Sequence, residues 1–144
     1  MTPAQRYAVL SCVSGVVWGC LVGLLAFDAF PRAIWGGLIA SPAIGLLIGI
    51  ATMRWFRFST PLRIAATLGS LYLAAALFGL AVGIYDWLAV DIPYRIPYAV
   101  VLQAVLAFVG GLTFPVYLLV LWPLAYLNHW LLGRTSPARQ RTTA

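Results

Sequence analysis

Few side chains in this sequence are of a type that does chemistry, and they are scattered. His129 is the only histidine. A lone imidazole is chemically sufficient as the axial ligand of a haem or a chlorophyll. It lies beyond Pro123, however, in the stretch PLAYLNHWLL, where a ring meeting lipid headgroups is the commoner role. The only carboxylates are Asp28, Asp86 and Asp91, and glutamate is absent. A serine or cysteine nucleophile needs an adjacent base, and the order of the chain sets His129 far from all three aspartates. Asp28 with Arg32, and Asp91 with Arg95, are four residues apart and read as exposed pairs worth about 0–1 kcal/mol. The expectation is a protein without catalytic residues.

Metal and redox chemistry have no better footing. Cys12 and Cys20 share one apolar run, and two positions two turns apart on one helix are too distant for a disulfide. Their spacing matches no zinc or haem motif. Ion-coupled transport draws on intramembrane carboxylates, histidines or arginines. Here the predicted spans, the fourth ending at Trp122, offer no such side chain, only neutral polar residues such as Ser11, Ser14, Thr67, Ser70, Tyr72, Gln103 and Thr113. Four-helix multidrug transporters that depend on a glutamate are excluded, since the chain has none.

Arginine supplies all nine basic residues, and the net charge is +6. Three of the nine fall within MRWFRFSTPLR, at Arg54, Arg57 and Arg63, interleaved with Trp55, Phe56 and Phe58. A nucleic-acid surface would gather such residues on one water-facing patch. These lie instead between long apolar runs, so they read as cytoplasmic helix ends at an anionic lipid leaflet, with the aromatics at headgroup depth. Docking of a partner protein is the alternative use, and a nucleic-acid partner is not expected.

The elements that must position these residues follow from composition. The chain has 144 residues, 63% hydrophobic and only 8% charged, and its mean hydropathy is +0.97. A water-soluble domain is about 45–50% apolar and about 25% charged, and one this small cannot hide so much apolar surface. Four apolar runs free of ionised residues extend over Tyr7–Phe27, Ile34–Met53, Ile64–Tyr85 and Tyr98–Leu132. Crossing a bilayer core takes about 20 residues. The first run is longer than a signal-peptide core, and AFDAFPR after it is a poor cleavage site. It is expected to stay as a membrane helix.

The fourth run is too long for one span. Proline suits the first position of a helix, so a break is predicted at Pro123: a span to Trp122, then a short interfacial helix. That helix would set Leu124, Leu127 and Leu131 on one face and Asn128 on another. With four alternating spans, Arg6, Arg54, Arg57, Arg63, Arg134, Arg139 and Arg141 share one side. Arg32 and Arg95 share the other with the three aspartates. Seven arginines against two predict cytoplasmic termini.

Small residues recur every four positions. Gly15, Gly19 and Gly23 form one stripe; Gly37, Ser41, Gly45 and Gly49 a second; Ala75, Gly79 and Gly83 a third. Lipid supplies no hydrophobic drive for helix association, so close backbone approach along such stripes provides it. The stripes read as packing surfaces within one bundle, with docking of an outside helix as the further use. GCLVGLLAFDAFPR and GLAVGIYDWLAVDIPYR share a faint pattern that hints at two parallel hairpins. Pro42, and the trio Gly110, Gly111 and Pro115, read as helix kinks repaired by Ser41 and Thr113.

The expected fold is all-α and polytopic. Residues 1–133 form a four-helix transmembrane domain with its short C-terminal interfacial helix, and residues 134–144 form a basic cytoplasmic tail. The expected setting is the bacterial inner membrane. The expected function is a non-catalytic accessory or assembly subunit of a larger membrane complex, respiratory or photosynthetic, docking through glycine-striped helices and aromatic belts. Membrane lipids and other membrane subunits would be its partners; a bound lipid is expected, and no cofactor is required. The alternative is a small channel or carrier for a neutral solute or lipid.

Overall fold

A computed structural model describes residues 1–29, 31, 33–89 and 96–135. Those residues form five α-helices and one 3-10 turn: α1 (Pro3–Ala26), α2 (Ile34–Thr52), the turn Trp55–Arg57, α3 (Thr60–Ala89), α4 (Pro97–Leu112) and α5 (Pro115–Arg134). The protein is all-α. Helices α1, α2, α3 and α5 are long and apolar enough to cross a membrane, which marks a multi-pass membrane protein. Large apolar side chains face outward throughout, among them Leu24 at 80% exposure and Ile39 and Leu119 at 72% each. A surface so apolar belongs in lipid.

Local sequence accounts for the helix boundaries. Pro3 opens α1, and Thr2 and Gln5 close a reciprocal capping box: Gln5 N–H donates to Thr2 Oγ1 at 3.2 Å, and Thr2 N–H to Gln5 Oε1 at 2.8 Å. Helix α2 continues through Pro42, beside which Ser41 Oγ donates to Leu38 O at 2.8 Å. Serine and threonine hydroxyls bonded in this way restore part of what a proline removes.

The chain breaks at Thr113–Phe114, ten residues before the predicted point. Pro115 disfavours helical backbone at Phe114, which is extended (φ −66°, ψ 124°). Thr113 closes α4 by donating from N–H and Oγ1 to Gly110 O at 3.0 and 2.6 Å. Pro115 then sits at the start of α5, and Pro123 lies inside that helix. The expectation of a span to Trp122 followed by a short interfacial helix is therefore corrected. The last helix is 20 residues of span-length apolar sequence, while α4 has 16, short of the usual crossing length.

Two antiparallel hairpins make the frame. In the first, Gly15 lies opposite Gly45, Gly19 opposite Ser41 and Gly49 opposite Ser11. Tyr7 OH donates to Gly49 O at 2.7 Å and pins the open end. In the second, Gly83 faces Val101 and Gly79 faces Val105. Between the hairpins, Gly37 receives the Phe78 ring. Phe78 meets Phe108 edge-on at 5.1 Å within a core of Ala33, Ile34, Val82 and Ala104. Helix α5 is docked on α3 by a second cluster, Leu71, Leu112, Leu121 and Ala125. No extensive contact joins α1 to α4.

Candidate functional site

Three polar residues of α3, Arg63, Thr67 and Ser70, recur at helical spacing and organise one end of the bundle. Thr67 Oγ1 donates to Arg63 O at 2.7 Å. Trp55 Nε1–H reaches both Arg63 O at 3.1 Å and Thr67 Oγ1 at 3.0 Å. Its indole is 1% exposed. Tyr126 of α5 packs edge-on against it at 4.9 Å, and the Arg63 guanidinium lies 5.4 Å from the ring centre. Arg63 Nε–H donates to Phe58 O at 2.9 Å.

Ser70 extends this network into α5. Its hydroxyl donates to Thr67 O at 2.8 Å and stands 2.7 Å from His129 Nε2. The serine has one proton. With that proton on Thr67 O, Ser70 Oγ must accept from Nε2–H, and both bonds form. Turning the hydroxyl toward His129 would give up one of them. The fuller network assigns the neutral tautomer with its hydrogen on Nε2, leaving Nδ1 as a bare acceptor. Nδ1 is buried and has no hydrogen-bond partner. Beside it in sequence, Asn128 Oδ1 accepts from Ser14 Oγ of α1 at 2.9 Å, so the amide nitrogen keeps its donors.

These groups form the floor of a cavity of about 320 Å³ enclosed by all five helices. Ser14, Ser41, Ser70, Asn128 and His129 supply its polar atoms, while Trp18, Phe78, Phe108 and Leu121 are among its apolar walls. Leu25, Ala29, Ala107 and Tyr117 line it while being exposed. They mark a mouth on the side where α1 and α4 stand apart. The volume falls within the range of ligand pockets, about 300–1,000 Å³. Among the described residues no group of His, Cys, Asp or Glu could hold a metal ion, and Cys12 and Cys20 are free thiols.

The other sequence candidates take definite places. Gly15, Gly19, Gly23, Gly37, Ser41, Gly49, Gly79 and Gly83 are buried; Gly45 and Ala75 are half-buried. A methyl group added at Gly19 would stand 2.7 Å from Ser41 Oγ, at Gly79 2.8 Å from Val105 Cα, and at Gly83 2.7 Å from Val101 Cα. The α1 and α2 stripes face each other, and Gly79 and Gly83 of the third face Val105 and Val101 of α4. Arg54 and Arg57 are exposed, whereas Arg63 is half-buried. Trp55 is buried within the protein, where its N–H finds acceptors on α3.

His129, expected as an interfacial ring, is 5% exposed within the bundle. Within this last stretch the expected separation of faces is present: Leu124, Leu127 and Leu131 are exposed, and Asn128 and His129, on another face, line the cavity. In lipid the apolar face turns outward and polar groups seek protein partners. The pairings of Asp28 with Arg32 and of Asp91 with Arg95, and the tail beyond Thr135 with Arg139 and Arg141, lie outside the described residues.

Sequence reasoning did not single out Ser14, Ser70 and Asn128 as one site. The available signal was that each belongs to a small set of neutral hydrogen-bonding residues, which also includes Ser11, Ser41, Gln103 and Thr113, in otherwise apolar runs. Comparison of the chain with protein-family models, with curated proteins and with solved structures returns no match.

Proposed function

We propose that the protein binds or carries a neutral, lipid-like molecule within the membrane. The observation that carries this reading is the cavity of about 320 Å³: apolar walls, a mouth toward the bilayer side of α1 and α4, and a floor of uncharged hydrogen-bonding groups. A charged solute finds no counter-ion among its lining residues. A neutral amphipath finds both solvation for its chain and partners for its head.

Gly111 provides the test. It lines the cavity, and a side chain added there meets no atom within 4 Å. Gly111→Phe should fill the space without disturbing the helices. The wild-type protein, purified in mild detergent and analysed by mass spectrometry, is expected to retain a neutral lipid in stoichiometric amount. The Phe variant should lose it while keeping its helical circular dichroism. Equal retention by the two proteins would count against the cavity as the binding place.

A second reading, the non-catalytic subunit of a larger membrane complex, has one observation in its favour. Gln103 is exposed on α4 between exposed Leu102 and Leu106 and has no hydrogen-bond partner among the described residues. A lipid-facing amide gains from a partner helix that can bond it. Gln103→Leu should then release a co-purifying membrane subunit in pull-down, and an unchanged set of retained proteins would remove the support.

A further inference from the structure

We infer that two copies of this chain pair in the membrane through the outer face of α4, with Gln103 of each copy hydrogen-bonded to Gln103 of the other. This pairing does not depend on the carrier reading, and it gives Gln103 a partner without a second kind of subunit. Ala99, Gln103, Leu106 and Gly110 follow one another at alternating steps of four and three residues, the spacing that holds one seam of a helix against a neighbour. The first three are exposed, and a side chain added at Gly110 meets no atom within 4 Å. On the opposite side of the helix, Val101, Ala104, Val105 and Phe108 pack on α3. Ala107 and Gly111 turn toward the cavity. The seam thus faces away from the rest of the bundle.

Gln103 is the polar member of this seam and has no hydrogen-bond partner among the described residues. The contacts of Gly79 with Val105 and of Gly83 with Val101 set its depth, level with the part of α3 between those glycines. That places it within the length of a helix able to cross the bilayer. Hydrocarbon offers an amide no water, and a bond to a neighbouring helix is the remaining route.

Two properties identify that neighbour. Every copy of the chain enters the membrane in the same orientation, so two α4 helices related by a two-fold axis along the membrane normal run parallel. Identical residues then meet at equal depth. A glutamine amide also carries both a donor and an acceptor. Nε2–H of each Gln103 donates to Oε1 of the other, and one pair of bonds satisfies both copies. A different protein would have to present a complementary polar group at this one depth, whereas a second copy always does. Ala99, one turn before, and Gly110, two turns after, are small enough for the backbones to come close.

The full chain, reconstituted in liposomes as two populations carrying a donor or an acceptor dye at the N-terminus, is followed by energy transfer as lipid is added. The native protein should associate. Gln103→Leu, similar in size but apolar, should weaken association about tenfold, the loss expected for two interhelical hydrogen bonds, at unchanged helical circular dichroism. Single cysteines in a protein without Cys12 and Cys20 locate the face. Ala99→Cys and Leu106→Cys should cross-link into dimers under mild oxidation, and Leu119→Cys on the exposed face of α5 should not. Transfer no greater than that of unassociated chains at every dilution would overturn the dimer. Cross-linking at Leu119→Cys without cross-linking on α4 would overturn the face. Association undiminished in Gln103→Leu would overturn the role of the amide. Cysteines on α4 joined to a different membrane protein in native membranes, in place of a second copy, would overturn the choice of partner.

Discussion

Trp55 illustrates at the residue scale how a lipid-embedded protein chooses between interface and core. A tryptophan beside arginines at a helix end reads as a belt residue, with its N–H in the headgroups. Here Arg63 O and Thr67 Oγ1 both accept from its N–H, so the ring turns inward and Tyr126 covers it. Trp55→Phe would leave those acceptors without the indole donor and open space beneath Tyr126. It should cost about 1–3 kcal/mol, read as a lower unfolding midpoint in detergent titration. An unchanged midpoint would show that the indole is incidental. Trp55→Ala, which also removes the ring, should cost about 3–5 kcal/mol.

Residue chemistry and the small-residue spacing meet at the scale of the helix. Gly19 of α1 is packed so closely on Ser41 of α2 that any side chain must part the two helices, and overpacking costs about 1–3 kcal/mol. Gly110 of α4 stands in open space, with nothing within 4 Å of an added Cβ. Gly19→Leu should therefore lower the yield of folded protein and its thermal stability, and Gly110→Leu should leave both near wild type. Equal behaviour of the two variants would mean that the α1–α2 seam is not the tight contact described. The four-residue spacing of these stripes was legible in the sequence because it needs only helical geometry. Which stripe meets which was not: that Gly37 takes a phenyl ring while Gly15 takes backbone depends on how the hairpins dock.

Charge acts at the scale of the whole molecule. The Tyr7–Gly49 bond sets the start of α1 beside the end of α2, so Arg6 shares an end of the bundle with Arg54 and Arg57, and Asp28 follows the far end of α1. The positive-inside rule predicts a cytoplasmic location for that arginine end. Ala29→Cys and Ile96→Cys, each in a protein without Cys12 and Cys20, should both react with an impermeant maleimide added outside cells; protection of both would reverse the topology. Arg54 and Arg57 are exposed, so exchanging both for glutamine should remove about 1 kcal/mol of anionic-lipid attraction apiece. The readout is co-purified anionic lipid, which should fall without loss of stability. Arg63→Gln should behave differently and lower stability, because its guanidinium is bonded to Phe58 O.

Composition and run length alone were enough to identify an all-helical membrane protein, since no other structure satisfies backbone groups over such apolar lengths except a closed barrel. The first three helices also followed from run length. The last two did not, because two prolines in one long run each offered a break. The decision at Pro115 rather than Pro123 lay in local conformation: Gly110 and Gly111 weaken the preceding turn, and Thr113 closes it. The site was illegible for a different reason. Ser14, Ser70, Asn128 and His129 lie on three helices, and in a chain of neutral side chains no local spacing reveals which polar atoms will meet. Only the docking of α5 across α1 and α3 brings these isolated polar residues together at one cavity. That docking turns on which face of α5 lipid prefers, a balance between leucines outside and hydrogen bonds inside that exists only once the neighbouring helices are in place.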